Sequence, residues 1–202
     1  MNVKTMTKKL FFVTGNKNKL SELERFLAQE PGLSDRIQVE GVKIDLPELQ
    51  GTAKQVIDAK LDEAIRNIKE GAVLVDDTGL CLEALNGLPG VYIKHFIEAI
   101  GPEGIVNMLK AFLNKKSFAE CHLGYCNIGT NSIPGKKIHI RGVCEGTIVS
   151  PRGNNGFGFD SIFEEVTSGQ TLAEMSIEDK NKISHRADAL RQLCRILVEQ
   201  NK

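Results

Sequence analysis

The chain has 202 residues and equal numbers of acidic and basic side chains, so its formal net charge at pH 7 is zero. This length is enough for one large domain with a real core, and the lack of a basic excess argues against a general nucleic-acid-binding protein. The apolar run at residues 10–13 is too short for a signal peptide or a membrane span. Five cysteines without a Cys-x-x-Cys pair favour a reducing compartment. We therefore expect a cytoplasmic protein with neither a nucleic-acid nor a membrane partner.

Short apolar runs alternate with helical periodicity along the first half of the chain, which is typical of an α/β protein. In chain order, the pattern predicts a buried strand at residues 10–14, a helix through 20–27, an extended segment at 37–46, a helix with Thr52 as its N-cap, and a short buried strand at 72–75.

The second half of the chain predicts two short helices, a pair of long strands and a last helix. These elements lie at residues 93–100, 105–112, 118–128 and 137–149, with a turn around Asn131 between the two strands and the last helix from Ser184. We expect the two long strands to be antiparallel, so the whole sheet is predicted to be mixed.

The segment TGNKNK follows the first predicted strand and opens the first helix. A turn between a strand and a helix presents backbone N–H groups and the positive end of the helix dipole, which together can hold a phosphate. Lys17 and Lys19 would add positive charge, and Thr14 and Asn16 would add neutral hydrogen bonds. The alternative is an ordinary turn in which Asn16 or Asn18 caps the helix and the lysines are solvated.

The segment VLVDDTGL places Asp76 and Asp77 where a buried strand is predicted to stop. Successive side chains of a strand point to opposite faces, so we assign Asp77 to the site. Ligands of α/β sheets gather beyond the carboxyl ends of strands, so Asp77 is expected near Thr14, where it could hold Mg²⁺. The alternative is a turn in which either aspartate caps backbone amides. Glu48, in IDLPELQG, is another carboxylate that follows an extended segment.

The segment PRGNNGFGFD, residues 151–160, contains three closely spaced glycines. Glycine lets a backbone approach a ligand closely, and the ring of Phe157 or Phe159 offers a flat face for stacking on a base. The alternative is a glycine-rich loop with one aromatic side chain in the core.

The segment KNKISHR places four basic side chains at the start of the last predicted helix, with Ser184 as the N-cap. Cations at a helix N-terminus oppose the helix dipole. Lys180, Lys182, His185 and Arg186 therefore favour a nearby ligand that is anionic or rich in acceptors.

Six motifs, in this order and spacing, resemble those of the inosine triphosphate pyrophosphatase family: TGNKNK, IDLPELQG, VLVDDTGL, NGLPGVYIKHF, PRGNNGFGFD and KNKISHR. The resemblance extends over residues 10–196 and is closer to eukaryotic than to bacterial members. It implies hydrolysis of ITP, dITP and XTP to the monophosphate and pyrophosphate, which clears deaminated purines from the nucleotide pool. It also implies a cytosolic homodimer that uses Mg²⁺, with Mn²⁺ as a substitute.

The same resemblance implies the architecture of the protein. We expect a single domain over residues 1–202 with two lobes. Its fold would be α/β, with a long bent mixed β-sheet, flanking helices and a central active-site cleft between the lobes.

The family's functional residues carry over onto matching positions of this chain. The resemblance implies that the triphosphate is bound by Thr14, Gly15, Asn16, Lys17, Asn18 and Lys19, with Lys60, Asp77 and Thr78 as further substrate contacts. It implies that the base and a phosphate are bound by Phe157, Gly158, Phe159, Asp160, Lys180, His185 and Arg186. It implies Glu48 and Asp77 as metal ligands, and Asp77 and Lys19 as catalytic residues.

The expected reaction is attack of a metal-oriented water on the α-phosphorus, with pyrophosphate as the leaving group. Asp77 either binds Mg²⁺ or takes the proton of the water, and the sequence does not choose between these roles. The alternatives are a Maf-like pyrophosphatase acting on other modified nucleotides, or a nucleotide-binding module without turnover. Ser161 stands where bacterial relatives generally have proline, and Phe159 where they have tyrosine or tryptophan. The sequence also leaves open whether Cys81 is reactive or buried.

Overall fold

The computed structural model describes residues 8–129 and 134–199, so Asn131 of the predicted turn lies outside the described residues. Within them the strands are β1 (Lys8–Val13), β2 (Ile37–Val42), β3 (Gly71–Leu82), β4 (Pro89–Gly90), β5 (Lys116–Ile128), β6 (Ile138–Ile148) and β7 (Phe163–Glu165). The helices are α1 (Lys17–Gln29), α2 (Ala53–Asn67), α3 (Ile93–Met108), α4 (Ile177–Ile183) and α5 (His185–Glu199), with a 3₁₀ turn at Glu83–Leu85. No described helix has the length and apolar character needed to cross a membrane.

The strands form one sheet in the order β2-β1-β3-β5-β6-β7, and β4 pairs with β3. β1 is parallel to both β2 and β3, whereas β4 and β7 are antiparallel to their partners. β5 and β6 also run antiparallel, because Ile148 at the end of β6 donates its N–H to Lys115 just before β5, and Ile128 at the end of β5 bridges to Pro134. The fold is therefore α/β with a mixed sheet, as the pattern predicted.

Side-chain caps start the first two helices where the sequence predicted them. Asn16 Oδ1 accepts the backbone N–H groups of Asn18 and Lys19 at 2.9 and 3.3 Å. Thr52 and Gln55 form a reciprocal capping box at the start of α2. Such caps satisfy backbone donors that a helix leaves unbonded, so short polar side chains are reliable local signals.

Helix α3 is interrupted at Gly101, whose φ of 68° and ψ of 174° are not helical, and Pro102 follows it. This break confirms the prediction of two consecutive helices in this region. The second helical part ends at Met108, earlier than the predicted end at residue 112.

Two predicted strand boundaries are wrong. β2 ends at Val42, and Ile44 and Leu46 beyond it are partly buried against the core, so their apolar character reports packing outside a strand. β3 does not stop at residue 75 but continues to Leu82, with the aspartate pair in its interior. A run of polar residues is normally typical of a strand end. Here each aspartate has a cationic partner, and a charged side chain can then be buried within the sheet.

The chain divides into two compact units. Among the described residues, the first comprises 8–77, 122–129, 134–141 and 189–199, and the second comprises Thr78–Cys121 and Gly142–Asp188. The core of the first unit includes Val13, Ile57, Leu61, Ala64, Val73, Val75 and Cys126. The core of the second includes Leu80, Leu82, Ile105, Phe159, Ile162, Phe163, Leu172 and Met175.

All five cysteines are buried thiols, which answers one question left open by the sequence. The Cys81 thiol donates to Glu120 Oε1 at 3.6 Å, and Cys81 is 6% exposed. Cys81 therefore packs as an interior side chain of the second unit.

We expect Gly153→Ala to lower the free energy of unfolding by about 3 kcal/mol, because the added Cβ combines backbone strain with a clash. Gly153 has a φ of +78°, and a Cβ there would lie 2.4 Å from the carbonyl carbon and oxygen of Ala173. Gly169→Ala is the matched control, because its φ is +66° but its Cβ would meet nothing within 4 Å. Urea unfolding of both variants measures the difference, and equal losses would contradict the clash.

Candidate functional site

The first group of candidate residues lies where β1 ends beside β3. Val13, the last residue of β1, pairs with Val75 of β3, and the N–H of Thr14 then donates to Val42 O at 3.1 Å. β1 turns away at this level, while β3 continues into Asp76 and beyond. The turn that precedes α1 therefore leaves the sheet beside the aspartate pair, although β3 does not end there as the sequence predicted.

Each aspartate of the pair holds a different lysine. Asp76 Oδ2 lies 2.9 Å from the ammonium group of Lys19 on α1, and Asp77 Oδ1 lies 2.6 Å from that of Lys60 on α2. Consecutive residues of a strand point to opposite faces, so the two carboxylates meet lysines from two different helices. All four side chains are largely buried, from 3% exposed for Asp76 to 17% for Lys19.

The role of Asp76 was missed by the sequence analysis, which assigned only Asp77 to the site. The signal was present, since a second carboxylate inside an apolar run needs a buried cation. The position of that cation could not be read from the pattern, because Lys19 comes from an element far away in sequence.

One oxygen of Asp77 is left without a protein partner. Asp77 Oδ2 is buried and has no hydrogen-bond partner among the described residues. Burial raises the pKa of Asp77, and the ammonium groups of Lys60 and Lys19 oppose this effect. A buried carboxylate oxygen without a partner is costly, so Oδ2 suits a cation, a proton or a water molecule.

The turn before α1 is organised by its own side chains. The N–H of Asn16 donates to Thr14 Oγ1 at 3.1 Å, and the Asn16 side chain caps the helix. Gly15, Lys17 and Asn18 are exposed. The capping role that the sequence offered for Asn16 is thus confirmed, and phosphate binding by this turn stays a prediction.

The residues present fit a divalent-cation site of a particular kind. Among residues 8–129 and 134–199, no three His, Cys, Asp or Glu side chains come together as a metal cage. Mg²⁺ is commonly bound by one or two carboxylates, with water and substrate phosphates completing its shell. Asp77 Oδ2 supplies a carboxylate oxygen of this type, whereas Glu48 lies exposed between β2 and α2.

The second group of candidate residues surrounds Phe157 in the second unit. Asp160 is 4% exposed, and its Oδ2 accepts the Phe157 N–H and the Lys180 ammonium group, both at 2.8 Å. Lys180 Nζ lies 5.0 Å from the centroid of the Phe157 ring, and Arg186 Cζ lies 6.0 Å from it. Arg186 also donates to Thr78 Oγ1 at 2.9 Å. Two cations thus flank the ring of Phe157, and a buried carboxylate fixes its backbone N–H.

The two aromatic residues of the glycine-rich loop have different surroundings. Phe159 is 6% exposed and packs against the rings of Phe163 and His185, with centroids 6.1 and 5.8 Å away. Phe157 is half-buried. The sequence left open which ring enters the core, and the structure places Phe159 there, so only Phe157 keeps part of its ring exposed.

The KNKISHR segment spans two helices, which corrects the prediction of one. Lys180 and Lys182 lie in the last turn of α4, where cations are favourable to the dipole, so the dipole argument does not apply to them. Ser184 ends α4 and then accepts the N–H of Ala187 at 3.2 Å, which confirms it as the cap of the last helix. The sequence pattern does not separate the two helices because Ser184 is both the C-cap of α4 and the N-cap of α5.

Comparisons with known proteins cover nearly the whole chain. The sequence model of the Ham1 family matches residues 10–196. An inosine triphosphate pyrophosphatase from Fusarium vanettenii is 46% identical over 193 residues, which are 95% of this chain and 97% of the relative.

Two solved structures are similar to this one. A HAM1 protein from Coxiella burnetii has a TM-score of 0.78 at 27% identity, over 96% of this chain and 100% of that one. A nucleoside-triphosphatase or dITP/XTP pyrophosphatase from Mycobacterium abscessus has a TM-score of 0.68 at 25% identity, over 92% and 98% of the two chains.

We expect Asp77→Asn to leave the free energy of unfolding at pH 7 at least as high as in the native protein, because it removes a desolvated charge. The folded-state pKa of Asp77 lies above its ordinary value of 3.8. On acidification the native carboxylate therefore takes up a proton before the unfolded one does. The advantage of the variant should be largest at neutral pH and disappear as the pH falls towards 3.8.

Urea unfolding between neutral and acidic pH measures this difference. Asp58→Asn is the control, since Asp58 forms an exposed pair with Lys54 at 2.5 Å. A large loss of stability in Asp77→Asn at pH 7 would mean that the ion pair with Lys60 outweighs the burial of the charge.

Proposed function

Because this chain belongs to the Ham1 family, we propose that it hydrolyses the non-canonical purine nucleotides ITP, dITP and XTP to the monophosphate and pyrophosphate. The matched range, residues 10–196, is the same range over which the six motifs carry the family resemblance. The observation that carries the proposal is the aspartate pair of β3, in which each carboxylate holds a buried lysine and one oxygen of Asp77 has no protein partner. This arrangement suits a highly charged phosphate chain and a divalent cation.

The phosphate end of the substrate is assigned to the first unit. We propose that the triphosphate is contacted by Thr14, Gly15, Asn16, Lys17, Asn18, Lys19 and Lys60. The exposed backbone of the turn, the N-terminus of α1 and three ammonium groups support this assignment. Since Lys19 and Lys60 are already held by carboxylates, their charges are fixed in place before the substrate arrives.

The metal is proposed to be Mg²⁺, with Mn²⁺ as a substitute, bound by Asp77 and Glu48. The unpartnered Oδ2 of Asp77 supports this residue as a ligand. Glu48 is proposed from the family resemblance alone, through its position in IDLPELQG. When bound, Mg²⁺ supplies charge neutralisation and Lewis acidity towards the phosphates.

The chemistry proposed for the chain's own residues is in-line attack of water on the α-phosphorus. The new P–O bond forms as the bond from the α-phosphorus to the bridging oxygen breaks, and pyrophosphate leaves. Asp77 Oδ1 is engaged by Lys60, so Oδ2 is the atom that can take a proton from the water or hold the ion. Lys19 and Lys60 stabilise the negative charge on the phosphates, and positioning supplies much of the remaining catalysis.

The base is assigned to the second unit. We propose that Phe157 stacks on it, since its ring is half-buried and flanked by Lys180 and Arg186. A guanidinium group can donate to the 6-oxo group of hypoxanthine or xanthine, whereas the 6-amino group of adenine would leave donors facing each other. Sites built on such bonds discriminate by up to about 10⁴- to 10⁵-fold.

The other residues of the second unit predicted to contact the substrate are proposed to position Phe157, Lys180 and Arg186. Asp160 orients Phe157 and Lys180, and Thr78 holds the guanidinium of Arg186. Gly158 has a φ of +65°, which favours glycine, and Phe159 packs against the ring of His185. Homodimeric assembly and a cytoplasmic location belong to the proposal through the family resemblance.

The first test is incubation of the purified protein with Mg²⁺ and ITP, with ATP and GTP in parallel, and identification of the products. We expect IMP and pyrophosphate from ITP and little product from ATP or GTP. Asp77→Asn should reduce turnover at least ~10²-fold, whereas Asp58→Asn should not. Release of orthophosphate, equal turnover of all three nucleotides, or no turnover would contradict the proposal.

A second test concerns base selectivity. Arg186→Ala should lower kcat/KM for ITP by at least about tenfold more than kcat/KM for ATP, because only the 6-oxo base loses a hydrogen bond. Steady-state kinetics on both nucleotides measure the two ratios. Equal losses on ITP and ATP would assign Arg186 to the phosphates or to the fold.

A further inference from the structure

The glycine-rich loop raises a structural question that the proposed function does not answer. Residues 151–156 are exposed and belong to no helix or strand, yet they lead directly into Phe157. We propose that Arg152 is a positioning residue, which clamps this loop to residues 164–174 and thereby holds the Phe157 ring for the base. This inference rests on the proposed function, because it assumes that Phe157 contacts the base.

The side chain of Arg152 joins three separate segments. Its Nη2 donates to Glu164 Oε2 in β7 at 2.6 Å and to the backbone oxygen of Gly169 at 3.2 Å. Its Nε donates to Glu174 Oε2, ahead of α4, at 3.1 Å. The planar guanidinium presents several donors at fixed angles, so it can serve these acceptors together, whereas the single ammonium group of lysine cannot reproduce the geometry.

The backbone of Arg152 is held by Thr171 of the same segment and by Ser161. Its carbonyl oxygen accepts the Thr171 hydroxyl at 2.9 Å, and its N–H donates to Ser161 O at 2.9 Å. The Thr171 N–H donates to Glu174 Oε2 at 2.8 Å, so one carboxylate oxygen joins Arg152 and Thr171. Thr171 is completely buried, which makes it a firm anchor for an exposed loop.

The clamp continues along the loop towards Phe157. The N–H of Asn155 donates to Ala173 O at 3.0 Å, and its side-chain amide donates to Met175 O at 3.3 Å. Ala173 in turn donates its N–H to the backbone oxygen of Asp160 at 3.1 Å, and Asp160 Oδ2 accepts the N–H of Phe157. Ala173 and Met175 are buried in the second unit, so a rigid segment fixes both ends of the loop.

The pKa shifts of Arg152 and Glu174 favour the charged forms of both side chains. The Thr171 N–H and the Arg152 guanidinium lower the pKa of Glu174, and Glu164 and Glu174 raise the pKa of Arg152. The Arg152 side chain is 40% exposed, and exposed ion pairs contribute little to global stability. Restriction of the loop is therefore the main effect of these contacts, because they tie an exposed segment to a buried one.

The test compares Arg152→Lys and Arg152→Ala with the native protein, using hydrogen–deuterium exchange and ITP kinetics. We expect faster exchange of the amides at residues 153–157 in both variants. We also expect KM for ITP to rise by about tenfold, with kcat within about twofold of native and a melting temperature close to native. Arg152→Lys should fail to rescue KM, because charge alone does not reproduce the fork of donors.

The matched control is Arg66→Lys, which alters an exposed arginine paired with Glu63 at 2.5 Å on α2 and should change neither exchange in the loop nor KM. Unchanged exchange at residues 153–157, or faster exchange with an unchanged KM, would overturn the inference. Full recovery of KM in Arg152→Lys would overturn it as well.

Failure of the proposed function has a different signature. In that case the native protein itself releases no pyrophosphate from ITP. Failure of the Arg152 inference instead leaves native turnover intact and shows only in the variants.

Discussion

The burial of two adjacent carboxylates inside one strand is the constraint on which the candidate site depends. Asp76 and Asp77 interrupt the apolar interior of β3, and neither could remain ionised there without a cation nearby. The fold supplies one lysine from α1 and one from α2, on the two faces of the strand. The positions of both helices relative to β3 are thus linked to the charges that the site needs.

The second unit also contains a buried ion pair between a lysine and an aspartate. Lys180 and Asp160 form a pair at 2.8 Å, with side chains only 9% and 6% exposed, and the carboxylate also fixes the backbone at Phe157. A buried ion pair is weak evidence for stability, because the cost of removing charges from water can exceed their attraction. The three buried pairs Asp76–Lys19, Asp77–Lys60 and Asp160–Lys180 therefore support the proposed positioning of functional groups more than they support a role in stability.

The two carboxylate oxygens of Asp77 have different surroundings. Asp76 and one oxygen of Asp77 hold lysines, whereas Oδ2 of Asp77 has no hydrogen-bond partner among the described residues. Burial keeps the carboxylate basic, as its raised pKa indicates, and the neighbouring ammonium groups limit the rise. A buried carboxylate whose pKa is perturbed by burial and by charged neighbours supports the role proposed for Asp77.

The sequence by itself determined the local features of this protein. Asn16, Thr52 and Ser184 cap helices, and Gly101 breaks α3, because each of these effects involves residues close together in the chain. The mixed α/β class followed from periodicity, and six motifs identified the family.

Only the tertiary structure decided which distant groups meet. It gave Asp76 its lysine, placed Phe159 in the core and Phe157 at its edge, and divided KNKISHR between α4 and α5. It also joined Arg152 to Glu164 and Glu174. These outcomes depend on contacts between segments far apart in sequence. A local pattern can indicate that a buried charged side chain needs an oppositely charged partner, but it does not show where in the chain that partner lies.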